Sequence, residues 1–502
     1  MGSQLLISVS PWDDRVALTE QGRLVEFYLE QRRAPDLTGN IYKGVVVRVL
    51  PGMDAAFVDI GLNRPGYLNV EEISGQQGGF YDLWLENEAS QPAYPMASPA
   101  PPISDLLREG QELLVQVSRP PLGSKGARLT THITLPGHYL VYAPTLTHSG
   151  ISRRITDQSE RERLQKLLAR LKPQEGGLIA RTASFGQSEA VLKQERDSLA
   201  SLWQKISKKQ ATVRGPALLR EDLDFVRRMV RELCGPDLDR VVIDDAPAYE
   251  KVLEYVSRFD PRLKNRVEFY DGTEPLFAHF GLEASWPRLL SPKVWLKSGG
   301  YLIINATEAL TAIDVNTGRF IGSHQLENTI VKTNLEASQE IARQLRLRNI
   351  AGLIVIDFID MKQAAHREEV YRAFIESLKA DRAKITVVPI SPLGLVEMTR
   401  ERLRESLAEQ LTEPCECCGG SGRRFSPLVG AHDILRQLLS EAREFPGCRF
   451  TIRAHPEVAA LVLSEGQEIL SRLEQEQHCH IEVKEEYFPL SGKYEIVRDL
   501  GS

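Results

Sequence analysis

The chain has no run of about 18 consecutive apolar residues, so nothing in it predicts a membrane-spanning helix. Met1 to Pro11 lacks the basic start and long apolar core of a secretory leader. Cysteine is scarce: six residues in 502 do not make the disulfide framework of an exported protein, and the cytoplasm is the expected compartment. Neither sign of charge is in excess, with 62 Lys and Arg against 68 Asp and Glu, a formal net charge of −6. A surface for a polyanion must then be a local patch. There is no serine or cysteine nucleophile motif and no glycine-rich loop to cradle phosphate. Internal repeats are absent, and no acidic, basic or proline-rich tail closes the chain.

What remains is ordinary soluble protein in composition, 42% apolar and 26% charged, long enough for three or four domains. Residues 4 to 31 alternate like a hairpin. From about Asn40 to Thr131 short strands are parted by glycines and prolines. The insert from Gly78 to Ser104 holds Gln91-Pro-Ala-Tyr-Pro-Met-Ala-Ser-Pro-Ala-Pro-Pro102, which predicts a surface loop. Residues 157 to 235 read as mostly helical. A short α/β stretch with strand Arg240–Asp244 and helix Ala248–Phe259 follows.

The most informative pair of segments lies beyond it. In Thr311-Ala-Ile-Asp-Val-Asn-Thr-Gly318 residues alternate, placing Leu310, Ala312, Asp314 and Asn316 on one strand face. Gly352-Leu-Ile-Val-Ile-Asp-Phe-Ile-Asp360 reads as a buried parallel strand. Between them Thr333-Asn-Leu-Glu336 has the pattern of a capping box, predicting a helix from there to about Arg348 with Leu335, Ile341, Ala342 and Leu345 inward. A right-handed crossover brings Asp314 and Asp357 to one sheet edge, where open α/β sheets bind ligands. Two adjacent carboxylates repel unless a cation or proton lies between them, and hard oxygen ligands suit Mg²⁺. A single Asp closing a strand is more often a cap or turn residue. Two together, with Asn316 beside the first, weigh against that simpler reading.

Lys43 to Gly61 predicts two strands of a small OB-type barrel joined at Pro51-Gly52, with Ala56, Val58 and Ile60 inward. Phe57 then faces solvent, where an aromatic suits base stacking; Tyr67 is a second platform and Lys125 a phosphate contact. The alternative is that Phe57 packs under the long loop. Gly177-Leu-Ile-Ala-Arg-Thr182 is a short strand ending in a guanidinium and a hydroxyl, a weak phosphate signal on its own, and Ile151-Ser-Arg-Arg154 is equally ambiguous. Cys415-Glu-Cys-Cys418-Gly-Gly-Ser-Gly422 has metal-knuckle spacing, with Cys417 too close to Cys415 to serve. Cys415 and Cys418 supply two of the four ligands that structural Zn²⁺ takes. A second subunit supplies the rest, or Cys479 with His478 or His480 does; a redox dithiol is the third reading. His132, His366 and His455 lack partners at ligand spacing and are read as structural.

Taken in order, these segments resemble the ribonuclease E/G family. The residues that carry the resemblance are Ala55-Ala-Phe-Val-Asp-Ile-Gly61, Lys125-Gly-Ala-Arg-Leu-Thr-Thr131, Gly150-Ile-Ser-Arg-Arg154 and Gly177-Leu-Ile-Ala-Arg-Thr182. Ala312-Ile-Asp-Val-Asn316, Asn334-Leu-Glu-Ala337, Glu340-Ile-Ala-Arg-Gln-Leu-Arg-Leu-Arg348, Gly352 to Met361, Leu393-Gly-Leu-Val-Glu-Met-Thr-Arg400 and the cysteine knuckle continue it over nearly the whole chain.

The resemblance implies a multidomain α/β and α+β protein: an RNase H-like fold (1–37 and 229–292) interrupted by an OB-fold barrel (38–131, with the proline-rich loop 78–104) and a 5′-sensor region (132–228). A DNase I-like catalytic domain (293–412), a zinc link (413–424) and a small C-terminal α/β domain (425–502) follow. It further implies a single-strand-specific endoribonuclease stimulated by a 5′-monophosphate, acting on rRNA precursors and mRNA and leaving 5′-phosphate and 3′-hydroxyl ends. By position, Asp314 and Asp357 hold catalytic Mg²⁺ and Asn316 orients near the scissile phosphate. Phe57, Tyr67 and Lys125 hold RNA. Gly137, Val141, Arg181 and Thr182 match the 5′-phosphate pocket. Cys415 and Cys418 match a Zn²⁺ site shared across a homodimer or dimer of dimers. Three features depart from the family: Tyr67 stands where many relatives have Phe, Lys384 where an Arg often completes the 5′ pocket, and the proline-rich loop is an addition. The lack of a C-terminal tail points away from the scaffold-bearing branch. The alternatives are a non-catalytic RNA-binding protein that uses the OB fold, and a metal-dependent DNase.

Overall fold

The computed structural model describes residues 2–32, 36–73, 101–121, 126–146, 149–152, 154–235, 238–259, 261–283, 286–318, 326–391, 394–402, 404–418, 420, 422–488 and 493–499. The predicted loop 78–104 therefore lies outside the described residues up to position 100. Mixed α/β in architecture, the chain divides into two compact units, Met1–Leu407 and Ala408–Ser502.

The first unit opens on a meander, Ser3–Val9, Asp13–Glu20 and Arg23–Gln31, rather than a lone hairpin. Its first strand pairs in parallel with Leu238–Ile243, which pairs in turn with Val267–Phe269, giving five strands. The inward residues Leu5, Ile7, Val16 and Leu18 meet Val241, Ile243, Val252 and Val256 in one core. In sequence, the described elements from Ile41 to Arg220 fill the gap between the third strand of this sheet, Arg23–Gln31, and the fourth, Leu238–Ile243.

Within that gap lies a closed five-stranded barrel in the order Ile41–Leu50, Ala55–Asp59, Gly66–Asn69, Arg128–Thr130 and Glu112–Arg119, the last returning to the first. Ala56, Val58, Ile60, Leu68, Val115 and Leu129 fill its interior, as alternation predicts. Gly44 has no room for a side chain, since a Cβ there would lie 2.5 Å from Val58 Cγ1. A four-stranded sheet follows: Gly150–Ile151, Gly177–Ala180, Leu140–Ala143 and Leu135–Pro136. The helices Gln158–Leu171 and Glu189–Thr212 share its core.

A six-stranded sheet closes the first unit, ordered Lys293–Trp295, Tyr301–Ala306, Leu310–Asn316, Gly352–Asp357, Leu395–Arg400 and Ile385–Val387. Only the two central strands run parallel, joined by the helix Leu326–Arg348. That helix and Ala364–Leu378 pack on one face, over Leu302, Ile304, Ile313, Val315, Ile354, Ile356, Val396 and Met398.

Two expectations are corrected here. Thr333 is no cap: the helix is already running at Leu326, and Thr333 lies mid-helix at 2% exposure with Oγ1 donating to the Thr329 carbonyl (2.9 Å). The apolar face made by Ile330 and Val331 carries the helix past a local capping pattern. Nor is Gly352–Asp357 buried on both faces, because Leu353 is 43% exposed. With antiparallel neighbours outside the central pair, the sheet needs helices on one side only. The long helix also grips the first sheet: Arg346 Nη2 donates to Glu26 Oε1 (2.7 Å) and Arg343 Nη1 to the Leu24 carbonyl (2.6 Å).

The second unit is a three-stranded sheet, His480–Glu485, Arg449–Ala454 and Tyr494–Asp499. The helices Pro427–Glu444, Pro456–Glu465 and Gln467–Gln477 pack around Leu438, Phe450, Ile452 and Val462. Among the described residues, no helix is long and apolar enough to cross a membrane.

Candidate functional site

Asp314 and Asp357 are register partners on the two parallel strands, both on the face that the helices leave open. Adjacent strands lie about 4.8 Å apart, so the two carboxylates stand side by side. Asn316 Nδ2 donates to Asp314 Oδ2 (2.8 Å), fixing the first carboxylate from within its own strand. Burial, then the charges of Asp314 and Asp360, push the Asp357 carboxyl above the ordinary carboxylate range. Such crowding is relieved by a cation. Mg²⁺ takes one or two protein carboxylates and completes its shell with water and substrate phosphate, so two carboxylates on an open face fit it.

Three supporting groups lie in segments quoted from the sequence, but the sequence assigned none of them a role at this site. Asn334, fully buried, donates Nδ2 to the Ile359 carbonyl (2.8 Å) and accepts from the Ile359 amide (3.2 Å), pinning the segment just past Asp357. Glu336 accepts from the backbone amides of Lys297 and Ser298 (2.9 Å for the latter). Asp360 adds to the negative field at Asp357. A buried polar residue on the inner side of an amphipathic helix was the available signal for Asn334.

On the barrel, Phe57 and Tyr67 are direct cross-strand partners on the outer surface, ring centroids 6.2 Å apart at 68°. Register extends the row: Arg48 stands opposite Phe57, Arg128 opposite Tyr67, and Arg119 opposite Arg128. Glu72 holds Arg128 at 3.2 Å. Two aromatics are thus flanked by guanidinium groups, to none of which the sequence had given a role beside them. Lys125 lies outside the described residues.

Arg181 is 13% exposed at its side chain, with Nη1 donating to the Gly137 carbonyl (2.6 Å) and Nη2 paired with Glu232. Burial alone would raise the Glu232 carboxyl; Arg181 and Arg231 more than offset it and hold it at about 2. The Thr182 hydroxyl is 3.1 Å from that of Ser152. Gly137 has no room for a Cβ, which would lie 2.6 Å from Glu195 Cδ. Buried Glu195 accepts from the amides of His138, Tyr139 and Leu140 (2.6, 2.9 and 2.7 Å) and so shapes this turn. The structure thus brings Gly137, Arg181 and Thr182 together. Val141 contributes no side chain to them, being buried with Ala143, Leu146 and Ile179. Lys384 is exposed; its segment is tied to the same region by Arg382, which donates to the Glu232 carbonyl, and by Arg154, which donates to the Asp381 carbonyl (2.6 Å).

In the second unit Cys415 is exposed, and its carbonyl accepts from the Cys418 amide (3.3 Å), forming a tight turn. Cys479 instead lies in the hydrophobic core, its thiol donating to the Leu473 carbonyl (3.5 Å) and pushed up by burial. That placement corrects the in-chain closure through Cys479 with His478 or His480. Among the described residues, no group of three or more His, Cys, Asp or Glu is placed to hold a metal ion. The three histidines read as structural have local roles: His366 Nδ1 lies 3.2 Å from Glu327, His455 accepts from the Glu457 amide (3.4 Å), and His132 is buried.

The profile of the Ribonuclease E/G family matches residues 134–403. Ribonuclease G of Escherichia coli (strain K12) is 42% identical over 474 residues, 94% of this chain and 95% of that protein. Ribonuclease G of Haemophilus influenzae is 39% identical over 495 residues, 98% of this chain and 99% of the relative. Ribonuclease E of Haemophilus influenzae is 37% identical over 481 residues, 95% of this chain but 50% of the relative. With the two ribonuclease G relatives matched over 95% and 99% of their own length and the family profile spanning the acidic pair, the chain belongs to the ribonuclease E/G family.

Proposed function

We propose that the chain is a Mg²⁺-dependent endoribonuclease specific for single strands. The observation that carries this reading is the register pairing of Asp314 with Asp357 on an open sheet face. Those two side chains would hold the ion, and Asn316 would keep the Asp314 carboxylate turned toward it. A bound Mg²⁺ supplies a water of lowered pKa and positive charge against the phosphate oxygens, the chemistry of phosphodiester hydrolysis. Attack of water on the phosphorus with departure of the 3′ oxygen, which takes up a proton, would leave 5′-phosphate and 3′-hydroxyl ends.

The rest of the chain selects the strand. Phe57 and Tyr67 stack bases, which duplexes do not present, while Arg48, Arg128 and Lys125 hold the backbone. Arg181 has N–H groups beyond those used by Gly137 and Glu232, and with the Thr182 hydroxyl these would bind a 5′-monophosphate, with Lys384 near its edge. That arrangement makes cleavage responsive to the 5′ end. Cys415 and Cys418 would hold half of a tetrahedral Zn²⁺ site, completed by the same pair of a second subunit in a homodimer or dimer of dimers. In this reading the sheet bearing the aspartates is a DNase I-like catalytic domain and the interrupted sheet an RNase H-like one. The setting is cytoplasmic rRNA 5′ maturation and mRNA decay.

The test is cleavage of a 5′-monophosphorylated AU-rich oligonucleotide with Mg²⁺ by wild type and Asp314→Asn. The expected outcome is RNA binding retained and cleavage lost. Wild-type-like cutting by a folded Asp314→Asn variant would sink the assignment.

A further inference from the structure

The open face of the six-stranded sheet carries a second feature that the site above does not use. Trp295 is 65% exposed on the edge strand Lys293–Trp295, and its ring meets that of Tyr301 edge-on, centroids 5.4 Å apart at 62°. The Lys293 ammonium sits against both rings, 4.0 Å from the Trp295 centroid and 3.8 Å from that of Tyr301. Among the described residues no carboxylate pairs with it. A large apolar ring is held in water by its neighbours, beside a cation free to meet an anion.

Register fixes where this pair stands. Trp295 is opposite Tyr301, and Tyr301 is opposite Asn316; Lys293 is opposite Ile303, and Ile303 is opposite Asp314. Trp295, Tyr301 and Asn316 therefore form one cross-strand row on the face of the acidic pair, and Trp295 is two strand spacings from Asn316, about 10 Å. We propose that Trp295 and Tyr301, with Lys293, form a base-stacking subsite for the RNA strand as it passes over the acidic pair. Stacking suits it because every base has a π-face, so the subsite tolerates any sequence while holding the nucleotide near the scissile phosphate in place. Lys293 takes the adjoining phosphate. The charge argues for this occupant over a second copy of the chain, since an ammonium held against aromatic rings with no carboxylate partner among the described residues matches a nucleotide and finds no counterpart in an apolar self-interface.

The inference rests on the endoribonuclease reading, and its test separates the two. A single-stranded oligonucleotide with one cleavage site is prepared as a series, each member with one base removed at a different position. Wild type should lose efficiency at one position near the cut beyond those accounted for by Phe57→Ala. Trp295→Ala should raise KM for the intact strand roughly ten- to a hundredfold and abolish sensitivity to that missing base. Trp295→Phe should restore both. If wild type cuts no member, the endoribonuclease reading fails. If wild type cuts and Trp295→Ala keeps its KM and base-removal profile, the subsite is refuted. An unchanged profile together with a halved solution mass would refute it too, assigning Trp295 to contact between subunits.

Discussion

Replacing Asn334 by Ala tests the link between the long helix and the acidic pair. The buried side chain satisfies both backbone groups of Ile359, two residues beyond Asp357 and next to Asp360. Truncation leaves a backbone donor and acceptor without partners, at roughly 1–3 kcal/mol each. Ile359 is only partly buried, so water would recover some of that, leaving about 2–4 kcal/mol of local stability lost. In hydrogen exchange the Ile359 amide should then open roughly thirty- to several-hundredfold more often than in wild type. The consequence for chemistry follows from position, because the strand end that presents Asp357 would lose its fixed register toward Asp314. Groups that orient metal ligands typically matter by about 10–100-fold, and with Asp357 as the proposed Mg²⁺ ligand, positioned here through Ile359, a loss of that size is expected in single-turnover cleavage, with RNA affinity unchanged. Asn334→Asp should not rescue, because it keeps the acceptor for the Ile359 amide but sets a second oxygen against the Ile359 carbonyl. Wild-type exchange at Ile359 together with wild-type cleavage would refute the reasoning. So would a defect confined to RNA binding.

Phe57→Ala should weaken single-strand binding by about 1–3 kcal/mol, and Arg48→Ala should lower the slope of log affinity against log salt by about 1, both read from titrations across salt. Glu232 is a depressed carboxylate, so its contribution to stability is present above the ordinary Glu value near 4.5 and is lost as pH falls toward about 2. Glu232→Gln should accordingly be less stable than wild type at pH 6, with the gap narrowing by pH 3; an unchanged gap in thermal midpoints would contradict this. Cys418→Ser should release zinc and halve the mass on a sizing column; a dimeric wild type without zinc would overturn the shared site.

The acidic pair was legible in sequence because one face of Leu310–Asn316 packs under helices and the other does not, which writes a period of two into the chain. The same one-sided packing misled the reading of Gly352–Asp357, where apolar residues such as Leu353 stand on the open face. Phe57 could be placed by alternation, but Arg48 could not. A bulge between Val46 and Arg48 lets Val47 and Arg48 both face outward, and strict alternation would have turned one of them in. Arg181 was visible as the end of a short strand, yet its partner Glu232 lies 51 residues away on another element. A contact of that range leaves no local pattern. Thr333 shows the converse case, a complete local motif overruled by the apolar face running through it.

The interrupted first sheet sets a timetable for synthesis. Val9 donates its amide to Asp244, 235 residues further along, and the strand Ser3–Val9 lacks its parallel neighbour until Leu238–Ile243 emerges. At about 5–20 residues per second, that edge stays unpaired for roughly 12 to 47 s, while the barrel within the interruption has all of its strands and can close first. An unpaired strand edge is a template for other chains. The growing chain should therefore be most prone to self-association in the interval between barrel closure and the arrival of residue 243, and a stall placed there should draw chaperones more strongly than one placed after it.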